Sequence, residues 1–145
     1  MISFFTIGYE GLNPDQFDDL LRQHRIDLLF DIRDNPHSRK EGFTKGELAR
    51  RLAEMGIRYV HLKELGCPRW LREETHKSKD YLAYFQKYGG IMETRAEALS
   101  IIAGEAVNHR VCLMCMEKRY DRCHRRAVAE KLVEINPELR AVELR

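Results

Sequence analysis

A chain of 145 residues fits one domain, spanning residues 1–145, whose core is large enough to need no disulfide staples. Its hydrophobic content of 43% and charged content of 33% exclude a disordered chain and a membrane-embedded one. The net charge of +2 is too small to indicate a nucleic-acid-binding protein by itself.

The sequence predicts a cytoplasmic protein with no membrane partner. Its start, MISFFTIGYEG, lacks the basic region and the cleavage site of a signal peptide, and no later apolar run reaches the roughly 20 residues that a membrane span needs. In a reducing compartment, cysteines are expected to be thiols, metal ligands or a redox pair rather than structural disulfides. The four cysteines are Cys67, Cys112, Cys115 and Cys123.

Five short apolar runs, rich in β-branched and aromatic residues, predict buried strands. In chain order they are Ile2–Ile7, Leu28–Ile32, Arg58–Leu62, Val111–Cys115 and Arg140–Leu144. The last is expected at an edge of the sheet.

Amphipathic segments between these runs predict helices. The first begins at Pro14 with Asn13 as its cap, and the second begins at the capping-box pair Thr44 and Glu47 and stops at Gly56. The third lies near Tyr81 to Tyr88, and the fourth begins at a second capping-box pair, Thr94 and Glu97. The fifth runs from Arg122 to Ile135 with Asp121 as its cap. A long basic loop through Cys67, Pro68 and Trp70 is expected after the third strand.

Strands that are apolar throughout and alternate with helices indicate a mainly parallel sheet covered on both faces. The predicted fold class is α/β: a three-layer α/β/α domain with a sheet of about five strands, Rossmann-like or flavodoxin-like. The sequence does not indicate the strand order. Ligands bind beyond the carboxyl ends of the strands in such sheets, so the residues after each strand are the candidates for a site.

Polar and reactive side chains follow four of the predicted strands. In chain order they are Tyr9 and Glu10, Asp31 and Arg33, His61, and Cys115 with Glu117. Each has a structural interpretation of its own, such as an Asp31–Arg33 ion pair that holds a loop. Their concentration at one edge nevertheless favours a functional site.

The stretch CMEKRYDRCHRR joins the fourth strand to the last helix and carries two cysteines and a histidine. Cys123 falls at the start of the helix, where free backbone N–H groups and the neighbouring Arg122 and Arg125 stabilise a thiolate. Cys123 is therefore the better candidate for a reactive thiol. The alternative is that it serves as a small buried hydrophobe.

His124 shares its helical spacing with apolar residues and is expected to point inward, as a general base, a metal ligand or a hydrogen-bonded cap. Cys112 and Cys115 lie three apart in a strand and point to opposite faces, so they cannot bind the same metal ion. Cys115, Cys123 and His124, with or without His61, form a candidate metal site. They equally suit a reversible disulfide or a nucleophile–base pair, and no cofactor is indicated.

The stretch DIRDNPHSR predicts an anion site. Arg33, Ser38 and Arg39 lie on the loop after the second strand, Lys45 opens the next helix, and Arg125 lies in the first turn of the last one. Guanidinium groups, a hydroxyl group and a helix N-terminus suit a phosphate or carboxylate. Glu10 and Glu117 are interpreted as counter-ions to these arginines or as acid–base groups.

The motifs TIGYEG, DIRDNPHSR, GF.K, Y.HLKELG and LMCME......CHR, in this order, resemble the domain of unknown function family 488 from about Thr6 to Leu132. The resemblance implies a compact α/β domain and no known reaction. Its pattern covers Tyr9, Asp31, Arg33, Pro36, Ser38, Arg39, Phe43, Lys45, His61, Leu65, Gly66, Cys115, Glu117, Cys123, His124 and Arg125. Cys112 and Cys67 are not part of it, and Cys67-Pro68 replaces a position where a small residue is more usual.

Four functions fit these observations. The favoured one is an enzyme for a phosphorylated or nucleotide-like small molecule, with Cys123 or Cys115 as nucleophile, His124 as base and arginines holding the anion. The alternatives are a metal or redox site, a nucleic-acid-associated module whose basic segments contact backbone phosphates, and a structural protein. The partners predicted are thus a small anionic ligand or a nucleic acid.

Overall fold

The computed structural model describes residues 1–145 and contains one fully parallel sheet of five strands with six helices. The strands are β1 (Ile2–Gly8), β2 (Leu28–Asp31), β3 (Arg58–His61), β4 (Val111–Cys115) and β5 (Leu139–Leu144). The helices are α1 (Pro14–Gln23), α2 (Lys45–Glu54), α3 (Arg69–Ser78), α4 (Tyr81–Met92), α5 (Ala96–Asn108) and α6 (His124–Ile135). The predicted α/β fold class is confirmed.

The sheet separates two cores. Helices α3 to α6 cover one face over a core of 25 buried residues, and α1 and α2 cover the other over 14. Strand β4 contributes Leu113 and Cys115 to the larger core, and Cys112 and Met114 to the smaller one. Cys112 and Cys115 thus point to opposite faces, as the strand period predicts.

The strand order is β3-β2-β4-β1-β5, which places β4 between β2 and β1. The chain leaves β1 and β2 towards the β3 edge, through α1 and α2, and leaves β4 towards the β5 edge, through α6. Neighbouring strands with connections in opposite directions open a crevice at their carboxyl ends. The end of β4 is the centre of that crevice, so the residues after β4 hold the most favourable position for binding a ligand.

Local sequence signals explain most helix starts. Asn13 caps α1 in a complete capping box with Gln16, and Thr44 caps α2 by accepting from the Glu47 N–H. Strand β5 lies at the sheet edge beside β1, as predicted. None of the helices combines the length and the apolar composition needed to cross a bilayer. The cytoplasmic location stays a prediction.

Three local predictions were wrong. Helix α3 occupies much of the segment expected to be a basic loop, and Leu71 and Thr75 form its buried stripe. Helix α5 lacks the predicted cap, because the Thr94 hydroxyl donates to the Ile91 carbonyl instead. Helix α6 is capped by Cys123 rather than by Asp121. Asp121 lies in a 3₁₀ turn, Tyr120–Arg122, where its carboxylate pairs with Arg119.

Candidate functional site

Three of the predicted site residues meet at the end of β4. Cys115 is the last residue of β4, Cys123 is the N-cap of α6, and His124 opens that helix. The Cys115 and Cys123 sulfurs are in contact, and the two Sγ atoms and a His124 ring nitrogen all lie within 4.8 Å of one another. All three side chains are buried. We call this group the Cys–Cys–His cluster.

The orientation of the His124 ring is fixed by the backbone of the neighbouring strand. Its Nε2 lies 2.6 Å from the Ile32 carbonyl oxygen, just after β2. A carbonyl can only accept, so Nε2 carries the proton and donates it. Nδ1 is then an unprotonated acceptor, 3.7 Å from the Cys123 sulfur. Burial lowers the pKa of His124 to about 4, so the imidazole is neutral at neutral pH.

Both sulfurs receive hydrogen bonds from Arg125. Its guanidinium Nη1 donates to Cys115 Sγ at 3.2 Å, and its backbone N–H donates to Cys123 Sγ at 3.5 Å. The same Nη1 also donates to the Glu117 carbonyl. The Arg125 side chain is fully buried, so an anionic partner compensates its charge better than a neutral one. This arrangement places a buried positive charge beside the Cys115 sulfur, and the Glu143 carboxylate lies 3.6 Å from the same guanidinium group.

The cluster forms one wall of a cavity of about 500 Å³. Cys115 and His124 line it, whereas Cys123 and Arg125 lie behind that wall. Six further predicted site residues line the same cavity: Tyr9, Glu10, Arg33, Ser38, Arg39 and Glu117. The candidate residues from three strand ends therefore share one space, as the fold class predicts.

Asp31, Lys45 and His61 do not line this cavity. Asp31 is fully buried and forms a bidentate ion pair with Arg33, at 2.9 Å to Nε and 2.7 Å to Nη2. His61 Nε2 contacts the Arg33 carbonyl at 2.7 Å, and Lys45 is exposed at the start of α2. The contacts of Asp31 are those of the Asp31–Arg33 ion pair that the structural interpretation expects.

The loop between β2 and α2 is held to the end of β1 by short polar contacts. The Tyr9 hydroxyl donates to Ser38 Oγ at 3.1 Å, and Lys40 Nζ donates to the Tyr9 carbonyl at 3.2 Å. The Tyr9 ring also stacks on Phe43 and lies 5.4 Å from the Arg33 guanidinium carbon. Tyr9 and Ser38 thus fix the shape of the cavity wall that carries Arg39.

Residues 13–132 match the family model described as Domain of unknown function DUF488. The chain belongs to the DUF488 family. The match takes in the loop after β2, the end of β4 and the whole Cys–Cys–His cluster, but it begins after β1. No curated protein and no solved structure matches the chain. The name of the DUF488 family states no activity, so the chemistry has to be inferred from the site.

Several cavity residues of this DUF488 chain were not predicted. They are Asn35, His37, Lys40, Cys67, Arg72 and Tyr84. Arg72 and Tyr84 come from α3 and α4, and the helical spacing of Leu71 and Thr75 was the signal that would have placed α3. His37 and Lys40 lie on the same loop as Arg39. Burial raises the pKa of Cys67 to about 11, so it is a weak candidate for a reactive thiol.

A second, larger cavity of about 960 Å³ adjoins the first, and Glu10, Arg72 and Glu117 are among the residues that line both. Its walls carry six arginine and lysine side chains against three glutamates. The cations are Arg69, Arg72, Lys77, Lys79, Arg119 and Arg122. We call it the outer cavity. Its excess of positive charge lies next to the narrower cavity that reaches the cluster.

Glu117 lies where the two cavities meet. Its partial burial and the nearby Glu10 carboxylate both raise the pKa of Glu117 above the usual range, burial having the larger effect. Glu10 accepts from the backbone N–H of Lys118 at 3.1 Å, which holds the end of β1 to the loop after β4. Both glutamates therefore line the cavity, and neither forms an ion pair with the predicted arginines.

Proposed function

We propose that this DUF488 protein is an enzyme that acts on a small phosphorylated or nucleotide-like anion, with the Cys–Cys–His cluster as its reactive centre. The observation that carries the proposal is that Cys115 and His124 line the same cavity as Arg33, Arg39 and Arg72. A reactive centre and a set of cations in one concave space is the arrangement that an enzyme needs to orient an anionic substrate.

The anion would be held chiefly by Arg39, Lys40 and Arg72. Arg39 is exposed at the cavity and has no carboxylate partner, whereas Arg33 is committed to Asp31. Arg72 is only loosely paired, 3.9 Å from Asp34. A phosphate that displaces this weak contact gains a guanidinium partner of good geometry. The positive outer cavity would attract the anion towards this site.

Cys115 is the sulfur that would meet the substrate. It lines the cavity, although only 1% of its surface is exposed, whereas Cys123 is fully buried behind it and lies 3.7 Å from His124 Nδ1. Cys115 also receives the hydrogen bond from the Arg125 guanidinium, which stabilises its thiolate. Two kinds of chemistry follow from this arrangement: attack by the Cys115 thiolate, or activation of a ligand by a metal ion held in the cluster.

The anion site is tested by isothermal titration with inorganic phosphate and with a nucleoside monophosphate. We expect saturable binding that weakens about tenfold or more in Arg39→Ala and in Arg72→Ala, because each loses one charge-assisted contact. Arg50→Ala is the matched control, since Arg50 is exposed on α2 and lines neither cavity. Wild-type protein that binds neither ligand, or variants that bind as well as Arg50→Ala, would refute the anion site.

Turnover is tested on a panel of phosphorylated compounds, each beside its dephosphorylated partner. We expect activity on the phosphorylated members only, and its loss in Cys115→Ser with an unchanged circular dichroism spectrum. Cys112→Ser controls for a general effect of cysteine replacement, because Cys112 faces the opposite core. A fully active Cys115→Ser enzyme would remove the cluster from the mechanism.

The outer cavity supports a second candidate, a nucleic-acid strand as the ligand. Six cations against three glutamates in one open space suit successive backbone phosphates. Binding of a single-stranded oligonucleotide should then weaken steeply with salt and in Lys77→Ala. Binding that is absent or independent of salt would exclude this candidate and leave the small anion.

A further inference from the structure

We propose that the Cys–Cys–His cluster binds a single Zn²⁺ ion through Cys115 Sγ, Cys123 Sγ and His124 Nδ1, with a fourth coordination position open to the cavity. The role of that open position in catalysis rests on the proposed function. The metal site itself rests on the arrangement of the three donors and their surroundings, and it can be tested separately.

The first support is that three potential electron-pair donors converge at one point in the fold. The His124 proton is on Nε2, committed to the Ile32 carbonyl at 2.6 Å, so Nδ1 faces the sulfurs as a bare acceptor. Both sulfurs accept hydrogen bonds from Arg125, at 3.2 and 3.5 Å. With both thiols deprotonated, these three acceptors within 4.8 Å of one another repel unless a cation lies among them. Two thiolates and an imidazole are a donor set that Zn²⁺ prefers.

The second support is the shell around the donors. A histidine that binds zinc usually donates its other ring N–H to a backbone carbonyl or a carboxylate, which fixes the ring and its tautomer, and His124 does so to Ile32. The hydrogen bonds from Arg125 to the two sulfurs are of the kind that stabilise metal-bound thiolates. Two thiolate charges match the charge of one Zn²⁺ ion, and the remaining positive charge of Arg125 lies 3.6 Å from the Glu143 carboxylate.

A disulfide fits the backbone less well than a shared metal ion. The Cα atoms of Cys115 and Cys123 are 7.8 Å apart. Disulfides usually span about 4.4–6.8 Å between Cα atoms, and a larger span requires the backbone to move. Here both backbones are held, because Cys115 ends a central strand and Cys123 caps α6. Two thiolates on one tetrahedral zinc ion lie about 3.8 Å apart, so the two sulfurs, which are in contact, would move apart while the two backbone segments need come no closer together.

The fourth position opens to the cavity because the cluster contains no fourth protein donor. His61, the predicted additional ligand, contacts the Arg33 carbonyl at 2.7 Å and does not line the cavity. Cys112 lies in the other core. Three protein ligands with one open position is the pattern of catalytic rather than structural zinc sites. A zinc ion there would hold a water molecule or an oxygen atom of the bound anion.

The test measures metal content and the metal's spectrum on protein purified without affinity metal or chelator. We expect about one equivalent of zinc by mass spectrometry, and a thiolate-to-cobalt charge-transfer band after replacement by Co²⁺. Cys115→Ser, Cys123→Ser and His124→Ala should each lower Co²⁺ affinity about tenfold or more. Cys112→Ala is the matched control, from the same strand but the opposite core, and should keep full affinity.

The proposal fails if the wild-type protein takes up neither zinc nor cobalt on reconstitution, or if the cluster variants bind the metal as well as Cys112→Ala does. Addition of azide should shift the cobalt spectrum, and an unchanged spectrum would show that the fourth position is closed. Phosphate titration of the same samples separates the two proposals. Metal without phosphate binding would overturn only the anion site, and phosphate binding without metal would overturn only the zinc site.

Discussion

Arg125 joins the Cys–Cys–His cluster to the rest of the fold. Its guanidinium is fully buried and donates to the Cys115 sulfur, to the Glu117 carbonyl and, at 3.3 Å, to the Lys118 carbonyl. It thereby holds the loop after β4 in place while it donates a hydrogen bond to a sulfur of the cluster. Arginine is the residue suited to this role, because its planar group presents several donors in fixed directions.

Replacement of Arg125 by lysine should therefore destabilise the fold even though the positive charge is kept. We expect Arg125→Lys to lower the free energy of unfolding by about 2–3 kcal/mol, because one ammonium group cannot reach all three acceptors and leaves carbonyls unpaired in a buried site. Urea denaturation of wild type and variant measures the difference. The control is Arg126→Lys at the next position, where the pairing with Glu130 is exposed and the expected change is under about 0.5 kcal/mol. Equal effects at the two positions would contradict the role given to Arg125.

The residues of the cluster could be predicted from the sequence because they lie next to local signals. The strand period separated Cys112 from Cys115, and the start of α6 identified Cys123 and His124. The sequence favoured Cys123 as the reactive thiol, whereas the structure supports Cys115 as the one at the cavity. That choice depends on the path of the loop that joins the two cysteines, and no periodic pattern specifies such a path.

At the scale of secondary-structure elements, the end of β1 packs unusually closely against the loop after β4. A Cβ atom at Gly8 would overlap the Glu117 carbonyl and lie 2.8 Å from Arg125 Nη1. Hydrogen bonds from the Tyr9 and Glu10 N–H groups, to the Cys115 and Met116 carbonyls, continue the pairing beyond the strands. Only a glycine permits this approach. The end of β1 therefore packs directly against the Glu117 carbonyl, to which Arg125 also donates.

We expect Gly8→Ala to lower the free energy of unfolding by about 1–3 kcal/mol, because the added methyl group must displace backbone rather than a flexible side chain. Gly104→Ala is the matched comparison, since Gly104 is exposed within α5 and an added Cβ meets nothing within 4 Å. That variant should instead gain about 0.5–1 kcal/mol, the usual effect in a helix interior. Thermal and urea denaturation measure both. A Gly8→Ala protein as stable as wild type would show that the two segments separate easily.

The elements that the sequence predicted well are those with their own boundary signals. Asn13 and Thr44 capped their helices as expected, because each cap is completed within four residues of chain. Helix α3 was not predicted, since its buried stripe is short and most of its residues are polar. The Thr94 and Glu97 pair has the spacing of a capping box, but Thr94 bonds to the preceding turn instead. Such competition between neighbouring backbone groups is decided by packing.

At the scale of the whole molecule, the sheet needs strands that lie outside the family match. Strand β1 lies between β4 and β5, and neither β1 nor β5 falls within residues 13–132. β1 pairs with β4 from Phe5 to Gly8 and supplies Phe4 to one core and Ile7 to the other. The position of the cluster at the end of β4 therefore depends on a strand at the opposite end of the chain.

Residues 13–132 alone should not form a folded domain. Removal of Phe4, Phe5 and Ile7 loses three buried side chains at about 1.5–3 kcal/mol each, which is comparable to the total stability of about 5–15 kcal/mol of a typical domain. The cut also leaves unpaired the edge of β4 that normally pairs with β1, in the middle of the sheet that separates the two cores. Nitrogen–proton correlation spectra of the segment should be poorly dispersed, and its urea transition should lack cooperativity. The full chain is the control, and it should give dispersed spectra and a cooperative transition. A folded segment that still binds Co²⁺ with full affinity would show that β2, β3 and β4 hold the cluster without β1.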